Sequence, residues 1–116
     1  MYLKKILSFR YKDINQLTGG WTLAHFAAQS GNISLLKDLK NMDKKWLKQS
    51  NNTGLTPAHI AAANGHLNVL HYLQYAGVDL HVEDKNGMPP FNFAQYYKHK
   101  DCMHFLLSNP PICIIS

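Results

Sequence analysis

Gly54-Leu55-Thr56-Pro57-Ala58-His59-Ile60-Ala61-Ala62 decides the fold, because the chain carries this stretch in three versions. Gly20-Trp21-Thr22-Leu23-Ala24-His25-Phe26-Ala27-Ala28 stands 34 residues earlier, and Gly87-Met88-Pro89-Pro90-Phe91-Asn92-Phe93-Ala94 stands 33 residues later. The segments that follow agree as well. Gly65-His66-Leu67-Asn68-Val69-Leu70-His71-Tyr72-Leu73 lies 34 residues after Gly31-Asn32-Ile33-Ser34-Leu35-Leu36 and 33 before Lys98 to Leu106. A fixed period of this size marks a stack of like units, each unable to bury its apolar face alone.

Each copy reads as a helix, a tight turn and a second helix. Thr22 and Thr56 are suited to cap a helix, with a hydroxyl accepting a backbone N–H that the first turn leaves unpaired. Pro57 and Pro90 fall in the first turn, where a missing N–H costs nothing. Ala27-Ala28 and Ala61-Ala62 are small enough for neighbouring helices to approach closely. Gly31 and Gly65 suit an inter-helix turn with positive φ. Leu67, Val69, Leu70 and Leu73 give the second helix its apolar spacing, and Gly77 ends it. The spacing predicts helix pairs at 22–30 and 33–40, 56–63 and 66–75, and 90–96 and 99–107, with a lone helix near 2–9.

Thr56-Pro57-Ala58-His59-Ile60-Ala61-Ala62 with Gly65-His66, and Gly77-Val78-Asp79-Leu80 followed by Asp84-Lys85-Asn86-Gly87, resemble the ankyrin repeat. The resemblance runs from about residue 3 to 107. It implies an all-α solenoid of stacked helix-turn-helix units with projecting β-hairpin loops. The expected layout is half a repeat at 1–17, repeats at about 18–50, 51–83 and 84–109, and a tail at 110–116. Two departures stand out. The first repeat carries one extra residue before Gly54, with Trp46-Leu47 where a small Gly-Ala pair is usual, so its hairpin is expected to be reshaped. The third has Pro89 for the threonine, Asn92 for the histidine and Lys98 for the turn glycine. It is expected to be the least stable unit or a terminal cap.

Composition bounds the function. Hydrophobic residues at 46% and charged residues at 16% fit a globular chain rather than a disordered one. The net charge of +5 invites a nucleic-acid reading, but the lysines are scattered and Arg10 is the only arginine, so no nucleic-acid partner is expected. Two cysteines make neither a disulfide framework nor a zinc site, and a cytoplasmic or nuclear location is expected. His25 and His59 occupy the position where the resemblance implies a structural imidazole. His71 and His81 have no partner at zinc-ligand spacing. His99, Cys102 and His104 lie close in sequence, yet Cys102 belongs to an apolar helix face. No phosphate loop or carboxylate pair is present, and Cys102 lacks an orienting third group. The chain is therefore expected to be neither an enzyme nor a binder of metal or cofactor.

The resemblance implies that another protein is held on the concave face. The implied contact residues are Trp21, Leu55 and Met88 after the hairpin glycines; Gln29, Ser30, Asn64, Tyr96 and Tyr97 near the ends of the first helices; and Asn52, Lys85 and Asn86 at the hairpin tips. A competing reading packs Trp21 and Tyr97 within the array. Asn15 and His81 stand at hairpin positions that asparaginyl hydroxylases modify in ankyrin-like proteins, although ordinary polar hairpin residues would look the same. Cys113-Ile114-Ile115-Ser116 matches a prenylation signal, which would tether the protein to a membrane through Cys113. The alternative is that Ile112, Ile114 and Ile115 fold back over the last helix. A further reading makes the chain an ankyrin segment of a larger protein.

Overall fold

The computed structural model describes residues 19–109. The lone helix near 2–9, the half repeat at 1–17, Asn15, Cys113 and the tail at 110–116 lie outside the described residues. Three helix pairs follow one another: α1 (Leu23–Ser30) with α2 (Ile33–Met42), α3 (Pro57–Asn64) with α4 (Leu67–Tyr75), and α5 (Pro90–Tyr96) with α6 (Lys100–Ser108). A 3-10 helix, Lys44–Lys48, follows α2. The bounds fall within two residues of those the spacing predicts. Among the described residues no strand forms; the hairpins are tight turns.

Alanine sets the inner layer. Ala24, Ala27 and Ala28 on α1, Ala58, Ala61 and Ala62 on α3, and Ala94 on α5 are all buried. Their small side chains let α3 pack directly against both α1 and α5. Six of the eight residues of α3, from Pro57 to Ala62, are buried. A helix buried on nearly every side belongs in the middle of a stack. The outer layer is aliphatic, with Leu36, Leu39, Val69, Leu70, Leu73, Cys102 and Leu106 buried.

The turns inside the pairs share one design. Asn32 N donates to Ala27 O at 2.8 Å, His66 N to Ala61 O at 2.9 Å and His99 N to Ala94 O at 2.8 Å. The residue before each donor is left-handed: Gly31 at φ 73°, Gly65 at φ 72° and Lys98 at φ 62°. Lys98 thus keeps the glycine conformation without being glycine.

The first repeat is reshaped where its second helix ends. Leu39 and Leu47 are eight positions apart, whereas Leu73 and Leu80 are seven. The additional residue is taken up by the 3-10 helix, which Asp43 starts by accepting a bond from Lys45 N at 3.0 Å. Leu47 and Leu80 are both buried, so the two loops deliver the same core side chain by different routes. Trp46 is left half-buried. In the third repeat Pro89 caps α5 without a side-chain hydrogen bond, and α5 has seven residues where α1 and α3 each have eight.

Candidate protein-interaction surface

The hairpin turns are built by one side chain each. Asn51 Oδ1 accepts from the N–H groups of Thr53 and Leu55, both at 2.9 Å. Asp84 Oδ1 does the same for Asn86 at 2.8 Å and Met88 at 2.9 Å. Neighbouring turns are joined by single backbone bonds, Asn52 N to Gly19 O at 2.9 Å and Lys85 N to Thr53 O at 3.1 Å. Glycine permits this approach. A Cβ on Gly20 would stand 2.8 Å from Asn52 N, and one on Gly54 would stand 2.7 Å from Lys85 N.

Histidines join the repeats twice over. His25 Nε2 donates to Leu55 O at 2.7 Å, and His59 Nε2 to Met88 O at 2.9 Å. A carbonyl only accepts, so in both rings Nε2 carries the hydrogen and Nδ1 is bare. Nδ1 of His25 then accepts from Thr22 N at 3.1 Å and from the Thr22 hydroxyl at 2.9 Å. His59 takes the same two bonds from Thr56, both at 3.0 Å. Thr22 Oγ1 also accepts from Ala24 N at 3.2 Å, the capping bond its sequence position predicts. Burial holds both histidines below the usual imidazole pKa, against their hydrogen bonds to the carbonyls of Leu55 and Met88.

A second pair of histidines reaches backward. His66 Nε2 donates to Gln29 O at 2.9 Å, and His99 Nε2 donates to Ala63 O at 3.0 Å. Their rings fill the space beside Gly31 and Gly65 of the preceding repeat. His99 is therefore a stacking contact. Cys102 is buried, and burial, with a smaller contribution from Asp101, pushes its thiol above the ordinary range, which disfavours the nucleophilic thiolate.

The predicted contact residues distribute unevenly. Trp21 is half-buried and packs on Phe26, with ring centroids 5.0 Å apart, and on His25 at 5.6 Å. Leu55 is half-buried, and Gln29, Ser30, Asn52, Asn64, Lys85 and Asn86 are exposed. Two of these spend their side chains locally: Ser30 Oγ donates to Phe26 O at 3.1 Å and Asn64 Nδ2 to Ile60 O at 2.8 Å. Met88, Tyr96 and Tyr97 are 43, 76 and 53% exposed. They come together, lining a hollow of about 460 Å³ with Asn92, Phe93 and Gln95. Tyr96 and Tyr97 stand edge to face at 4.9 Å. His81 lies elsewhere, its Nε2 bonded to Asn109 O at the end of α6.

The residues missed from sequence are Phe26 and Phe93. Phe26, Ile60 and Phe93 share one register position, four residues beyond Thr22, Thr56 and Pro89. Phe26 is 43% exposed, whereas Ile60 is buried and Phe93 half-buried. The signal was a large apolar residue recurring beside the histidine position, and it reads equally well as core.

Stacked helix pairs joined by tight turns, with cross-repeat histidine bonds, define a solenoid repeat protein. The chain belongs to the ankyrin-repeat family, matching the family described as "Ankyrin repeats (3 copies)" over residues 2–84 and 24–114. It is 30% identical over 89 residues to tyrosine-protein kinase HTK16 of Hydra vulgaris, covering 75% of this chain and 12% of the kinase. It is 33% identical over 93 residues to transient receptor potential cation channel subfamily A member 1 of Homo sapiens, covering 77% of this chain and 8% of the channel. Ankyrin repeat and SAM domain-containing protein 6 of Mus musculus is 29% identical over 84 residues, 72% of this chain and 10% of that protein. The chain thus spans about a tenth of the length of these curated relatives.

Proposed function

We propose that the repeats act without catalysis, holding a partner protein along the hairpin turns and first helices. The family is a general protein-interaction module. The observation that carries the reading is the apolar and aromatic edge on which Phe26, Met88, Tyr96 and Tyr97 are exposed. Trp21 packs on Phe26 in the first repeat, and Met88 and Phe93 line one hollow in the third. Leu55 and Ile60 stand at the matching register between them, Leu55 half-buried and Ile60 buried. In a stack of like units Trp21, Leu55 and Met88 fall in one column, most exposed at Met88 beside Tyr96 and Tyr97. Aligned apolar and aromatic side chains on a small protein mark an interface, and tryptophan and tyrosine are enriched among the residues that dominate binding.

The test uses a partner recovered by affinity capture and then purified. Trp21→Ala and Met88→Ala are each expected to weaken its binding by more than ~1 kcal/mol while circular dichroism stays unchanged. Unaltered affinity in both variants removes the column from the interface.

A further inference from the structure

Lysines are spread along the whole chain, but one stretch gathers five of them. Lys37, Lys40, Lys44, Lys45 and Lys48 run from the second half of α2 through the 3-10 helix, and no lysine or arginine occurs from 49 to 84. With Asp38 and Asp43 the stretch 37–48 carries a net +3, five cations less two acids. The corresponding part of the second repeat, 71–84, holds no lysine and three acids, Asp79, Glu83 and Asp84. Leu80 is buried there as Leu47 is in the first repeat, so the fold does not need the lysines.

Their placement adds to their mutual repulsion. Lys37 and Lys40 are neighbours on the surface of α2, and Lys45 and Lys48 eclipse on the 3-10 helix. Asp43 spends Oδ1 on the N–H of Lys45. Lys37, Lys44, Lys45 and Lys48 are exposed, and Lys40 is half-buried with Nζ 5.8 Å from the ring centroid of Tyr75. Trp46 is half-buried among them and lines a hollow of about 190 Å³ with Asp43, Lys45 and Gln49. Among the described residues the second repeat reaches its buried leucine without a 3-10 helix, and Asp79 stands one residue before Leu80 where Trp46 stands before Leu47. Both the charge and the tryptophan are thus additions to what stacking requires.

We propose that the 3-10 helix and the adjoining end of α2 dock an acidic polypeptide segment in which carboxylates flank a short apolar side chain. The carboxylates meet Lys44, Lys45 and Lys48, with Lys37 and Lys40 extending the field along α2, and the apolar side chain enters the hollow beside Trp46. Charge complementarity selects an acidic partner, because a carboxylate relieves the repulsion among the lysines. The two interspersed acids select a peptide over a phosphate chain or an anionic bilayer. A nucleic-acid backbone carries a charge at every nucleotide and a bilayer presents a continuous charged sheet, so each would meet Asp38 and Asp43. A peptide can place neutral residues opposite them. The stretch also has no arginine to grip phosphate in a fork. This surface shares no residue with the column of Trp21, Leu55 and Met88 and stands independently of it.

The probe is the peptide acetyl-Glu-Asp-Glu-Val-Glu-Asp-Glu-amide, titrated into the ¹⁵N-labelled full chain and followed by NMR. Saturable shifts are expected at residues 44–48 and at the Trp46 indole N–H, and none with the Gln/Asn version of the peptide. Lys45→Gln with Lys48→Gln is expected to weaken binding at least about fivefold. Lys98→Gln with Lys100→Gln removes the same net charge elsewhere and should leave binding unchanged. Replacing the peptide's valine by serine should weaken it at least about threefold, which tests the hollow without altering the fold. Absent shifts, equal losses in the two lysine pairs, or equal affinity for the serine peptide would overturn the proposal. Tighter binding of oligothymidylate or of phosphatidylserine vesicles at these residues would assign the surface to phosphate. Shifts at both 44–48 and 79–84 on raising the chain's own concentration would assign it to a second copy. Either outcome also overturns the proposal.

Discussion

Lys98 shows how one position can be legible in identity and illegible in conformation. Its place after Gly31 and Gly65 was plain from the period, but the residue alone did not say whether the turn kept its form. The turn is unchanged, because the Schellman bond from His99 N to Ala94 O fixes it regardless of side chain. The left-handed conformation costs an L-residue about 1–2 kcal/mol, and glycine returns about 0.5–1 of that in unfolded-state entropy. Lys98→Gly is therefore expected to stabilise the chain by roughly 0.5–1 kcal/mol in urea denaturation. Gly65 is the converse case. A Cβ there would lie 2.7 Å from the His99 ring, while one on Gly87 would meet nothing. Both substitutions to alanine suffer from positive φ, so Gly65→Ala should cost more than Gly87→Ala, and equal losses would remove the imidazole from the account. The backward-reaching role of His99 was not readable in sequence, since its acceptor, Ala63 O, is a backbone atom 36 residues away.

At the level of elements, the helices were legible because caps, prolines and small residues recur in step. The 3-10 helix was not. Counting back from Gly54 reveals one residue too many, but only the burial of Leu47 places the surplus between Leu39 and Leu47. The edge of the candidate surface was half legible: the residue after each hairpin glycine could be counted, whereas Phe26 becomes surface only through the packing around it. The repeats also differ in what holds them. The α3–α4 pair is packed on both sides, whereas α5 lacks a threonine cap, a loss of about 1 kcal/mol. In a stack, stability comes largely from nearest-neighbour interfaces. Amide hydrogen exchange is accordingly expected to be slowest in α3 and α4 and faster in α5 and α6. Slower exchange in α5 and α6 would mean that the third repeat is held by contacts beyond those described.

Across the whole molecule, stacking depends on two neutral imidazoles in successive interfaces. Each bare Nδ1 faces two donors from its threonine, and each Nε2–H reaches the next repeat. A proton on Nδ1 would turn an acceptor against the Thr22 or Thr56 N–H. Burial is the main reason both pKa values lie below the ordinary one; for His25 the neighbouring His59 adds to it, and for His59 the carboxylate of Asp84 opposes it. The sign follows from linkage. Between the folded and unfolded pKa values the unfolded chain binds more protons, so stability rises with pH there. The contribution is complete above the unfolded value of about 6.5 and is lost as pH falls from there through the lower folded value. Denaturation midpoints measured from pH 8 to pH 5 should therefore be level down to about 6.5 and then decline. His59→Gln retains an amide donor for Met88 O but has no titrating ring. It should lower stability at pH 8 and flatten the decline below 6.5, because one of the two imidazoles with a lowered pKa is gone. A decline as steep in His59→Gln as in the parent would place the acid sensitivity outside His59.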